Sequence, residues 1–166
     1  MKCPSCGREM RATKKDYHYE EAGLKNVVLK DTTVYECKCG ETLPEIPYIK
    51  RLHQQIADTL IYKPGPLTGE EFRFLRKSMG MSARDLAQLL GVTTVSLSRW
   101  ENNKEKVGPQ SDRLLRCLYV TRLGGLGAHK VAKKLEGIMA GIVDRKPKPQ
   151  PILISRSSPT RERHVE

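Results

Sequence analysis

The chain has 166 residues, of which 5% are aromatic and 38% apolar, and it carries a net charge of +11 with a pI near 9.6. That composition disfavours one large core and fits two small modules better, which bury little surface each and lean on a metal or a partner. The charge points to polyanions, meaning DNA, RNA or an acidic protein surface, with plain solubility as the bland alternative.

The first motif is Cys3-Pro4-Ser5-Cys6-Gly7, and a second pair follows at Cys37-Lys38-Cys39-Gly40. No apolar leader precedes Cys3, and no apolar run reaches the roughly 18–20 residues of a membrane span, so the chain is expected in the cytoplasm. In a reducing compartment, paired cysteines more often hold metal than form disulfides. A two-residue spacing lets one tight turn aim two sulfurs at a point. The C-x-C pair is one residue shorter and needs a sharp turn at Lys38, which Gly40 eases. Cys3, Cys6, Cys37 and Cys39 are therefore read as ligands of one structural Zn2+ per chain, with iron or a redox switch as alternatives. Four thiolates leave no open position, which argues against catalysis by the metal. His18 is a weaker substitute ligand, and Cys117 reads as core.

Between the pairs lie short β-prone stretches at 16–20, 26–29 and 32–36, broken at Gly23 and Asp31. They predict a small antiparallel sheet with the metal at one end. Pro44 and Pro47 close it. Residues 48–61 then place Ile49, Leu52, Ile56 and Leu60 at helical spacing, and Lys63-Pro64-Gly65-Pro66 ends that connecting helix.

Thr68 and Glu71 have the spacing of a capping box and open a helix to about Met79, with Phe72, Leu75 and Met79 inward. Gly80 stops it. Ser82 caps a helix over 83–90, with Leu86, Leu89 and Leu90 apolar, and Gly91 stops that one. Thr93 caps a third through Glu101. Gly108-Pro109 opens a fourth with Leu114, Leu115 and Leu118 inside. Residues 128–143 read as a fifth helix, and the Pro-, Arg- and Ser-rich stretch from Asp144 as a disordered basic tail. The fold class is α+β: a zinc-bound β module at 1–46, a connecting helix and linker at 47–66, an all-α domain at 67–125, and an extra helix with the tail at 126–166.

The segment 82–101 has the form of a helix-turn-helix, with Gly91 at the turn and Val92, Leu97 and Trp100 toward the core. That leaves Thr94, Val95, Ser96 and Arg99 to meet base edges in a major groove. Arg99 suits guanine, Val95 a thymine methyl, and the two hydroxyl groups either bases or phosphates. Ser82, Arg84, Thr93, Lys104 and Lys106 flank them as phosphate contacts. An inert helical bundle with a solvated basic face is the alternative.

Three segments together, MKCPSCG, VYECKCGE and LTGEEFRFLRKSMGMSARDLAQLLGVTTVSLSRWENN, resemble the MqsA-type antitoxins, which join a YgiT-type zinc finger to an Xre-type helix-turn-helix. The resemblance covers about residues 1–120. It implies a homodimer that represses its own operon through the helical module and binds a toxin, commonly an RNase, through the zinc module. The family's base-reading positions fall on Val95 and Arg99. The family's namesake has Asn in place of Val95, so the operator is expected to differ; it also has C-x-x-C in place of Cys37-x-Cys39, which bears on the identity of the toxin.

The leading reading is thus a DNA-binding repressor acting as the antitoxin of a type II pair. A stand-alone zinc-containing regulator is the alternative, and an RNA-binding protein would need more stacking aromatics than Tyr17, Tyr19 and Tyr35 supply. Tyr17, Tyr19 and the sheet edge are candidate toxin contacts. No nucleophile–base pair or phosphate loop points to an enzyme.

Overall fold

The computed structural model describes residues 1–123 and 151–154. Its strands are β1 (Arg11–His18), β2 (Val27–Glu36), β3 (Thr42–Pro44) and β4 (Ile152–Ile154). Its helices are α1 (Ile49–Ile61), α2 (Gly69–Ser78), α3 (Ala83–Leu90), α4 (Thr94–Glu101) and α5 (Pro109–Leu123). The expected α+β architecture is present, and none of these helices is long and apolar enough to cross a membrane.

β2 is the spine of the sheet. β1 pairs antiparallel along it, from Arg11 opposite Glu36 to His18 opposite Val28. β3 pairs antiparallel with its other edge, Val34 opposite Pro44. The sequence reading divided β2 at Asp31; the structure has one strand with a bulge there. Between Lys15–Thr32 and Tyr17–Leu29 the register advances two residues on β1 and three on β2. Asp31 absorbs the extra residue with φ 50°, in the left-handed region that Asp tolerates. The bulge also switches the inward positions, from Val27 and Leu29 to Thr32 and Val34, all buried. A two-residue alternation drawn through both halves would have put one half outside in.

The helix stops lie where the sequence placed them. Thr68 and Ser82 each complete a capping box, with Glu71 and Asp85 as the returning carboxylates. Gly80 and Gly91 take the left-handed conformation. The next residue in each case, Met81 or Val92, donates to a carbonyl five positions back, the bonding of a Schellman end. Three apolar assignments were wrong: Ile49, Leu89 and Leu114 are exposed, while Leu52, Leu86 and Leu115 carry the buried stripes. Ile49 is the first residue of α1, Leu89 lies at the edge of the α3 stripe, and Leu114 is on the face of α5 away from Leu115 and Tyr119.

One core runs through sheet and helices. Tyr19, Leu24, Val27 and Leu29 share it with Ile56, Leu60, Phe72, Leu75, Leu86, Leu97 and Leu115. A separate small cluster, Cys3, Met10 and Cys37 with Tyr35 and Leu43 against it, occupies the cysteine end. Tyr19 is therefore not an exposed sheet residue: it is 1% exposed, with its hydroxyl 2.8 Å from His53 Nε2. Tyr17 is half-buried and donates to Glu21.

Burial lowers the His53 pKa below its usual 6.5. A neutral ring is thus the native form, and the unfolded chain takes up the proton first as the pH falls. The stability from neutral His53 is full above pH 6.5 and is lost as the pH drops through the lower native value. Urea unfolding across pH 7.5 to 5 should show this loss, and His53→Gln should flatten that part of the profile.

The linker at 63–66 is fixed rather than loose. Arg116 is fully buried in α5; its Nε donates to Asp112 Oδ1 at 2.6 Å. Its remaining nitrogens donate to the carbonyls of Ile61 (3.1 Å), Lys63 (2.8 Å) and Gly65 (2.7 Å). Asp112 Oδ2 accepts the Leu67 amide at 2.6 Å. One ion pair thereby satisfies four backbone groups of a segment whose prolines prevent a helical or strand ladder.

The tail reading needs correction at one place. Ile152–Ile154 form β4, which pairs in parallel with Val27–Leu29 of β2 and buries Ile152 and Ile154. A three-residue apolar island in a basic, proline-rich stretch carries no periodic signal, so only the groove it fills identifies it as a strand. The helix expected at 128–143 lies outside the described residues.

Candidate functional site

Two tight turns build the cysteine cluster. In the first, the Cys3 amide donates to the Arg8 carbonyl at 2.8 Å and the Gly7 amide to the Cys3 carbonyl at 2.9 Å. In the second, the Cys37 amide donates to the Glu41 carbonyl at 2.9 Å and the Gly40 amide to the Cys37 carbonyl at 3.0 Å. Gly7 and Gly40 both have positive φ, 71° and 95°, which lets the chain double back beneath the sulfurs. β1 and β2 bring the turns together, because Arg11 pairs with Glu36 just beyond the cysteines.

The four Sγ atoms lie within 4.8 Å of one another, Cys3 to Cys39 at 3.6 Å and Cys6 to Cys37 at 3.4 Å. A tetrahedron of thiolates around zinc at about 2.3 Å has edges of about 3.8 Å, so the donor set fits one such ion. The shortened second pair reaches the cluster with both sulfurs. Among the described residues no other group gathers three potential ligands, and His18, exposed on β1, stands outside this one.

The electrostatics differ across the cluster. Arg8 Nε donates to Cys6 Sγ at 3.4 Å, and that bond, with the Arg8 amide, pulls the Cys6 thiol down to about 6. Cys39 receives the Glu41 amide, which favours its thiolate, yet hydrogen bonds with Cys37, Cys6 and Cys3 push it up to about 12. Cys6 and Cys39 are thus shifted in opposite directions within one cluster. A bound cation displaces the thiol protons, and Arg8 offsets part of the negative charge that four thiolates accumulate. Arg8 was missed in the sequence reading; its position two residues past Cys6 is the signal that could have found it. Cys117 on α5 is half-buried and away from the cluster, and burial raises its pKa.

The second candidate surface is on α4. Its inner side is fixed by Leu97, fully buried, and by Trp100, whose ring meets Phe72 edge-on at 6.1 Å between centroids. Glu101 is buried, with Arg76 Nε and Nη2 donating to its two oxygens at 2.6 and 2.9 Å, and Arg76 Nη1 donates to the Met81 carbonyl at 2.8 Å. Gly69 at the start of α2 lies against the Trp100 carbonyl so closely that a Cβ would collide with it. Its amide donates to Asn103 Oδ1 at 2.7 Å. α4 is therefore held from beneath and at its end.

On the outer side Thr94, Val95, Ser98 and Arg99 are exposed. Ser98, which the sequence reading omitted, is i+4 from Thr94 and i+3 from Val95, so the helical period could have supplied it. Ser96 is half-buried and committed to the cap: its amide donates to Thr93 Oγ1 at 3.0 Å, and the two hydroxyl oxygens are also 3.0 Å apart. Ser82 is likewise engaged, with Asp85. Arg84, on α3, and Lys104 and Lys106, just after α4, are exposed. Arg99 Nη1 donates to Glu105 Oε1 at 2.7 Å, in a pair about half exposed.

The family model described as the antitoxin component of a bacterial toxin-antitoxin system, MqsA, matches residues 1–121, so the chain belongs to the MqsA antitoxin family. No curated protein and no solved structure matches it.

Proposed function

We propose that this member of the MqsA antitoxin family is a dimeric repressor that reads operator DNA with α4 and holds a toxin, an RNase, through its zinc-bearing sheet. The observation that carries the DNA half is the outer stripe Thr94, Val95, Ser98 and Arg99, on a helix rigidly backed by Leu97, Trp100 and Glu101. A major groove admits such a helix, and its base edges suit these side chains. Arg99 and Val95 read bases; Thr94 and Ser98 contribute hydroxyl groups there, while the Ser96 hydroxyl stays with the Thr93 cap. Ser82, Arg84, Thr93, Lys104 and Lys106 bind phosphates. The division of labour follows the chain: residues 1–46 for the toxin, 67–125 for DNA, with 47–66 joining them. One structural Zn2+ on Cys3, Cys6, Cys37 and Cys39 fixes the toxin-binding end, and nothing in this reading requires catalysis.

Binding to duplexes selected from a random library tests the DNA half. Arg99→Ala should cost about 1–3 kcal/mol on the selected duplex and relax one base position, whereas Lys104→Ala should weaken all sequences alike. Equal losses on selected and random DNA for Arg99→Ala would remove its base-reading role. Glu105 holds Arg99 in the free protein, so Glu105→Gln should raise affinity for random duplex more than for the selected one. An unchanged ratio between the two would show that the pair leaves specificity alone.

The shared core of sheet and helices favours a second reading, a regulator whose zinc end only completes the fold. Isolation of the metal-loaded chain from its host separates the two: a toxin that co-purifies supports the first.

A further inference from the structure

The free part of the β2 edge beside α1 is filled by a piece of chain remote in sequence. β3 covers that edge at Val34–Glu36. The bulge at Asp31 interrupts it, and β4 covers it again at Val27–Leu29. The pairing is in register at three positions, Val27 with Ile152, Val28 with Leu153 and Leu29 with Ile154. The Ile152 amide donates to the Asn26 carbonyl at 2.7 Å. The side chains alternate: Ile152 is 5% and Ile154 8% exposed, whereas Leu153 is 60% exposed. The two isoleucines enter the core that holds Val27, Leu29 and Leu60. Before Ile152 the groove continues as a cavity of about 470 Å³, lined by Leu60, Tyr62, Pro64 and Pro151 among others.

This is the arrangement by which sheets capture extended peptides: backbone pairing along an open edge, with pockets for alternate side chains. We infer that the β2 edge at Val27–Leu29, with the adjoining face of α1, is a strand-receiving site, and that its ligand is the chain's own Pro151–Ile154 segment, bound as a separable element. The ligand class is an extended peptide with branched apolar side chains two residues apart and no requirement on the residue between. Docking of this segment also covers an edge that would otherwise pair with another chain. The segment lies outside residues 1–121, so the family match does not supply it. The inference stands apart from the DNA and toxin readings.

The test opens the site in the full metal-loaded chain with Ile152→Asp and Ile154→Asp together. The probe is a fluorescent peptide of residues 149–156, Pro-Gln-Pro-Ile-Leu-Ile-Ser-Arg. A tethered ligand competes at millimolar effective concentration, so the opened chain should bind the peptide at least about tenfold more tightly than the unaltered chain does. A peptide with aspartate at the two isoleucine positions should not bind, and one with aspartate only in place of Leu153 should bind as well as the parent. Equal affinity of both proteins, no binding to the opened chain, or equal damage from aspartate at Leu153 would each overturn the inference. Amide exchange of the opened chain in the same buffer covers the remaining case. Retained protection in α1 supports separability, and collapse of β2 and α1 together would overturn it by making β4 an indispensable part of the core.

Discussion

Arg116→Ala is expected to destabilise the protein by about 3–5 kcal/mol, the range for removing one partner of a buried ion pair. That is a large share of the ~5–15 kcal/mol that holds a typical domain together. The cost has two parts. Asp112, 1% exposed, loses its ion-pair partner and retains the Leu67 amide. The carbonyls of Ile61, Lys63 and Gly65 lose their donor, and each buried group left unpaired costs about 1–3 kcal/mol. The loss should appear in urea unfolding as a lower midpoint. Arg116→Lys should recover little, because an ammonium group cannot reproduce the planar fork that meets Asp112 and the carbonyls together. A midpoint within experimental error of the unaltered chain would mean that the linker is held by other contacts.

Metal removal should have the second large effect, and the structure narrows where it falls. Zinc in a closed thiolate site contributes on the order of 10 kcal/mol at pH 7. A zinc-bound module at 1–46 that folded by itself would melt as a whole on chelation while the helices persist. Tyr19, Leu24, Val27 and Leu29, however, are packed in the same core as the helices. Only Cys3, Met10 and Cys37, with Tyr35 and Leu43, form the cluster at the metal end. Chelation should therefore abolish amide protection near residues 2–10 and 36–43, and leave that of Leu24–Leu29 and α1 largely intact. Cys3→Ser should reproduce the pattern. Uniform loss of protection over the whole sheet would show that the metal holds it from end to end, and no loss anywhere would remove the structural role of the ion.

Local chemistry carried most of the fold in the sequence. Thr68 with Glu71, Ser82 with Asp85, and Gly80 and Gly91 mark helix ends because each satisfies orphan backbone groups by itself, without help from distant residues. The cysteine pairs were legible for the same reason, each turn being set by its own glycine. What was not legible depends on partners far away in sequence. Arg116 reads as one more basic residue until Asp112 and the linker carbonyls surround it, and Arg76 until Glu101 does. Tyr19 reads as a surface strand residue until α1 covers it and His53 meets its hydroxyl. β4 is the extreme case, since Ile152–Ile154 become a strand only on an edge more than 120 residues earlier in the chain. On α4 the outer stripe was legible from the helical period, apart from Ser98. The engagement of Ser96 with the Thr93 cap and of Arg99 with Glu105 was not.

The role proposed for α4 is to give this member of the family its sequence specificity. The most direct measurement is the affinity of the metal-loaded chain for a duplex selected from a random library, relative to unselected duplex at the same salt concentration, for the unaltered protein and for Val95→Ala with Arg99→Ala. The expected preference is at least about 10³-fold, and it falls by an order of magnitude or more in the double variant while random-duplex affinity changes little. Failure of selection to enrich any sequence, or a preference that survives loss of both side chains, would contradict that role.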